Sequence, residues 1–151
     1  MERASALLAR SLQAAGLERG DRVALLLHNN LLYPVALAAI LRAGMVGVTM
    51  NPLYTARELQ YQLSDSGAAA LLAEEPFMPL VSAVLDQTQV RHVLTVPMQG
   101  VRQALLAPAA QSAAQRGSQD ARVASLGDAI STLTPSSFSA EQVQPDRKSV
   151  V

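Results

Sequence analysis

Four short apolar runs begin near residues 23, 46, 69 and 92, one every 23 residues, and a segment of helical spacing precedes each of them. Parallel strands can be joined only through a crossover long enough to hold a helix, and such crossovers are right-handed. Strand–helix alternation at this interval therefore predicts an α/β fold in which alternating helix–strand units form a parallel sheet. The interval reflects the length of the unit. No residue pattern repeats with it, which argues against a solenoid.

The individual elements follow from local chemistry. Leu7, Leu8, Leu12 and Ala15 share one face of a helix over Ala4 to Ala15, and Gly16 supplies its stop. Val23 to Leu27 is a continuous apolar run, the pattern of a strand covered on both faces. Leu31 to Ala43 reads as a second helix with Pro34 in its first turn, and Met45 to Met50 as the second strand. Asn51-Pro52 ends that strand. Thr55 followed three residues later by Glu58 has the spacing of a capping box, so a third helix starts near Thr55 and closes around Asp65-Ser66-Gly67. Gly67 before and Glu74-Glu75-Pro76 after leave the Ala68 to Ala73 run room for a strand only. A helix over Phe77 to Gln87 and a strand over His92 to Val96 complete the series. Beyond Pro97 large apolar residues thin out. Gln99 to Ser125, with a short helix at Val101 to Ala107, and the turn-prone run Thr132 to Ser139 read as a surface excursion or partly disordered connector.

Composition removes several function classes. Twelve basic residues balance 12 acidic ones among the 151, with no block of either sign, so no field gathers nucleic acid or an anionic membrane surface. Cysteine is absent, which excludes disulfides, thiolate nucleophiles and Cys-ligated zinc. The two histidines, His28 and His92, lie far apart in sequence, which gives metal chemistry little footing. The most apolar stretch, Leu31 to Met50, is broken by Pro34, Arg42, Gly44 and Gly47, so no transmembrane segment is expected and the chain reads as soluble and intracellular.

Ligands of parallel sheets bind beyond the carboxyl ends of the strands, here His28-Asn29-Asn30, Asn51-Pro52, Glu74-Glu75 and Pro97. No glycine-rich phosphate loop stands at any of them, and Gly44-Met45-Val46-Gly47 has neither dinucleotide nor P-loop spacing. The only lysine is Lys148. His28 has the chemistry of a general base, but no carboxylate adjoins it in sequence, and a loop histidine bonding nearby backbone is expected. Glu74-Glu75 has the form of an acid–base or cation-binding pair, but two carboxylates before a proline are expected to be a solvated turn. Asn51 to Thr55 is expected to end a strand and cap a helix, with Tyr54 as its one ligand-facing candidate. No residue is assigned a catalytic, cofactor-binding or metal role on these grounds.

Five blocks nevertheless stand in a telling order: Gly20-Asp21-Arg22-Val23-Ala24-Leu25, Tyr33-Pro34-Val35-Ala36-Leu37, Ile40 to Met45, Asn51-Pro52-Leu53-Tyr54-Thr55 with Arg57-Glu58-Leu59, and Leu63 to Ala68. This series resembles the amino-terminal region of adenylate-forming, AMP-binding enzymes, most closely bacterial long-chain fatty-acid–CoA ligases. The likeness runs from about Ala4 to Thr95. It departs at His28, where the family commonly has proline before the asparagine, a change expected to alter a loop and not the fold.

The resemblance implies a parent enzyme in which a fatty-acid carboxylate attacks the α-phosphate of ATP, releasing pyrophosphate, and CoA thiol then displaces AMP from the acyl-adenylate. It implies ATP, Mg and CoA as cofactors of the full-length family, fatty acid as substrate, a cytoplasmic enzyme peripheral to the inner membrane, and room for a homodimer. The Ser/Thr/Gly-rich phosphate loop would begin shortly after Gln144-Pro145-Asp146, so no catalytic residue carries over and the chain alone is expected to be inactive. Residues 1–97 would be the α/β subdomain, 98–145 a variable connector and 146–151 a tail foreign to the protein. Asp146 to Val151 departs from the family's continuation and reads as a translated sequencing-library adapter. Met1 would fall inside an internal helix of the family, with several dozen residues normally before it. The alternative is a stand-alone flavodoxin-like module for binding or interaction.

Overall fold

The structure, a computed structural model, describes residues 2–97 and 120–126. The sequence expectations for Val101 to Ala107, Thr132 to Ser139, Lys148 and the 146–151 tail lie outside these residues. Five parallel strands form one sheet in the order β2-β1-β3-β4-β5: β1 Arg22–Leu26, β2 Val46–Thr49, β3 Ala70–Glu74, β4 His92–Val96 and β5 Val123–Ser125. Helices α1 Glu2–Ala14, α2 Leu32–Arg42, α3 Ala56–Ser66 and α4 Met78–Val84 fill the intervals. Side chains alternate across each strand, so Val23, Leu25 and Leu27 join the α1/α2 face while Ala24 and Leu26 join the α3/α4 face. Both faces of β1 and β3 are thereby covered, and this is why their sequences are continuously apolar.

The expected starts and stops are present. Thr55 caps α3: its hydroxyl accepts from the Glu58 amide at 3.4 Å, and Glu58 Oε2 accepts from the Thr55 amide at 2.8 Å. The Thr55 amide, and then its hydroxyl, hold the Glu58 carboxyl below its ordinary value. Gly67 closes the helix at φ 62°, a conformation that favours glycine. The segment Phe77 to Gln87 differs from expectation in being divided. Only Met78–Val84 is α-helical, between single 3-10 turns at Glu75–Phe77 and Leu85–Gln87. Pro76 and Pro79, having no amide hydrogen to donate, both fall in first turns, where none is needed.

The larger correction is β5. Val123–Ser125 lies inside the stretch expected to be an excursion or connector, yet it pairs in parallel with β4, Val93 opposite Val123 and Thr95 opposite Ser125. Arg122 fastens its start. The guanidinium donates to both Asp120 oxygens and to Asp86 beside α4. Arg122, through its side chain first and its amide second, draws the Asp120 carboxyl down from 3.8 to about 2. A carboxyl depressed in the folded state stabilises above its unfolded value, and that contribution disappears as pH falls through the folded value. Protection of the Val123–Ser125 amides, with the exchange rate taken relative to the intrinsic rate at each pH, is accordingly expected to fall between about pH 4 and about pH 2, and Asp120→Asn to flatten the profile. An identical profile in the variant would refute the assignment.

Candidate functional site

The carboxyl edge of the sheet is built by the exits of β1 and β3, which are neighbours. Period-two alternation places Glu74 on the same side as Ala70 and Leu72, facing the start of α2, and the residue is 1 % exposed. A buried carboxylate is costly unless hydrogen-bonded, and both oxygens of Glu74 have partners. His28 Nδ1 is bonded to Oε2, and Asn30 Nδ2 donates to Oε1 at 2.5 Å. Asn30 is itself fixed, because its Oδ1 accepts from the Leu32 amide at 2.9 Å and its carbonyl accepts from the Tyr33 amide at 3.2 Å. The imidazole of His28 stacks on the ring of Phe77 with centroids 4.9 Å apart and an interplanar angle of 27°, and its side chain remains 53 % exposed.

Two expectations are thereby corrected. Glu74 is not part of a solvated turn, since the strand carries it into the interior before Pro76 turns the chain. His28 does have an orienting carboxylate, supplied from 46 residues away and not from nearby backbone. Asn51 behaves as expected: its Oδ1 accepts from the Leu53 amide at 3.0 Å and its carbonyl from the Tyr54 amide at 3.1 Å, which ends β2 in a turn. Tyr54 packs partly on the α3/α4 core and borders an open groove of about 300 Å³ with Arg57, Glu58, Tyr61 and Gln62, apart from the His28 cluster. Asn30 and Phe77 were not singled out from sequence. A polar residue two positions before a helix, able to reach the first amide, is the signal that marks Asn30.

The arrangement can orient an imidazole and hold it at the sheet's carboxyl edge. It offers little to a phosphate: α2 begins Leu32-Tyr33-Pro34, the first two amides are engaged by Asn30, and the third residue has none. Among the described residues no three or more His, Asp or Glu side chains are grouped to hold a metal ion, and no helix is long and apolar enough to cross a membrane.

Comparison with known proteins supplies a context that these residues lack alone. The family model described as AMP-binding enzyme matches residues 1–148. Over 97 residues the chain is 52% identical to the long-chain-fatty-acid–CoA ligase of Yersinia pestis, a match covering 64% of this chain and 17% of that protein. The Salmonella typhimurium ligase of the same name gives the same identity and coverage. Among solved structures, a long-chain-fatty-acid-CoA ligase from Archaeoglobus fulgidus superposes with a TM-score of 0.60 at 28% identity, over 62% of this chain and 19% of that one. The chain thus spans about a sixth of the length of the curated relatives it matches.

Proposed function

The chain belongs to the AMP-binding enzyme family, and from that membership we propose that it is the amino-terminal α/β portion of an ATP-dependent long-chain fatty-acid–CoA ligase. The observation carrying this reading is the 52% identity, over 97 residues, to ligases of that specificity. The parent would join a fatty acid to CoA through an acyl-adenylate, with ATP, Mg and CoA supplied to the larger enzyme. The described residues do not form a fitting site for ATP or magnesium, so no step involving either is assigned to them. Their contribution is a rigid parallel sheet whose carboxyl edge scaffolds the neighbouring parts of the parent. In the proposed division the α/β unit is residues 1–97 together with β5. Residues 98–145 are otherwise the variable connector, and residues 146–151 are a foreign tail, of which the family match takes in 146–148; an uninterrupted gene read carrying the same six codons would refute the last point.

A segment exchange tests the assignment. When the aligned 97 residues of the Yersinia pestis ligase are replaced by those of this chain, fatty-acid-dependent AMP release is expected to remain within about tenfold of the parent. A soluble, folded chimera with background activity would overturn the reading. The strand order β2-β1-β3-β4-β5, that of flavodoxin-like modules, favours one second reading, a stand-alone binding module. Such a module would give that inactive chimera.

A further inference from the structure

The chain leaves β1 toward one side of the sheet, to β2, and leaves β3 toward the other, to β4. The crevice between the carboxyl ends of β1 and β3 is therefore the topological switch point, where open α/β sheets take ligands. His28 and Asn30 exit β1 at this crevice, and Glu74 and Phe77 exit β3 there. We propose that it is a binding site for a small neutral molecule, in which Nε2 of His28 accepts a hydrogen bond from a ligand hydroxyl while the ligand's apolar body lies beside the Phe77 ring.

The polarity of the site follows from the hydrogen bonds. Asn30 Oδ1 is committed to the Leu32 amide, so its Nδ2 must be the atom that donates to Glu74. A carboxylate has only acceptors to offer, hence in a neutral imidazole His28 Nδ1 carries the hydrogen in the bond to Oε2, and Nε2 is the ring nitrogen left without a partner among the described residues. Glu74 therefore selects the tautomer, as carboxylates do behind working imidazoles. Glu74 is 1 % exposed and the His28 side chain 53 %, so the imidazole is the member of the pair that solvent and solutes reach. An anionic ligand is disfavoured twice, by the Glu74 charge and by the engagement of the first α2 amides with Asn30. Neither argument depends on the ligase reading.

Ring-matched probes decide the matter by NMR on the full chain, with His92 as internal control. The ring nitrogens of His28 are expected to report hydrogen on Nδ1. Phenol is expected to shift the His28 Cε1–H signal saturably and leave His92 in place. Toluene, which lacks the hydroxyl, and benzenesulfonate, an anion that only accepts, should each bind at least about fivefold more weakly. Equal binding of phenol and toluene, tightest binding of benzenesulfonate, hydrogen on Nε2, or a matching shift at His92 would each overturn the proposal. Glu74→Gln, which can donate to Nδ1, should move the hydrogen to Nε2 and weaken phenol at least about fivefold. An unchanged tautomer in the folded variant would also count against it. Should that variant fail to fold, the probe series on the unaltered chain still decides.

Discussion

Replacing Leu25 by alanine is expected to cost roughly 3 kcal/mol of folding free energy. The residue is fully buried as the fourth of the five residues of β1, in register with Thr49 on one side and Leu72 on the other, and belongs to the core under α1 and α2. A leucine enclosed by strands on both sides and helices above leaves a cavity that cannot collapse without moving the sheet. Large-to-small changes are most costly at such sites. Against a total of about 5–15 kcal/mol for a domain, the urea midpoint should fall steeply with little change in slope. Leu53, 87% exposed after β2, is the control: its alanine variant should stay within about 0.5 kcal/mol of the parent. A loss below about 1 kcal/mol at Leu25 would mean that the strand is not enclosed as described.

The second large effect is expected at Glu74. Alanine there removes the acceptor shared by His28 and Asn30, leaving donors of both without their partner and loosening the asparagine that caps the entry of α2. About 2 kcal/mol should be lost, with glutamine costing roughly half as much because it keeps an acceptor for Asn30. His28→Ala in combination with Glu74→Ala should cost less than the sum of the single changes, by about 1 kcal/mol, since the two side chains share one interaction. Strict additivity measured by denaturant titration would show that His28 and Glu74 are not coupled.

The parallel sheet was legible because its signals are local: apolar runs of strand length, helical spacing between them, the Thr55–Glu58 box and the Gly67 stop all lie within a few residues of what they control. β5 was not, since three residues, Val123-Ala124-Ser125, carry no periodicity. Their status as a strand depends on pairing with β4 across about 30 positions of chain. The site divides in the same way. Asn51 was readable because its partners are in its own turn, whereas Glu74 was read as solvated because its partners come from another strand's exit. Counting alternation one residue past Ala73 would have placed the Glu74 side chain on the α1/α2 side. Only three dimensions reveal that His28 and Asn30 await it there.

The sheet that separates the two apolar clusters has an evolutionary consequence. Leu8, Leu12 and Ile40 meet one side of the strands while Leu59, Leu63 and Val81 meet the other, and the strand residues between them face one cluster or the other, not both. A change in volume under α1 or α2 is therefore to be compensated by neighbours on that same side, and substitutions on opposite sides should combine without epistasis. Repacking one side while the other is held constant is therefore expected to be tolerated, the stability changes on the two sides adding nearly independently.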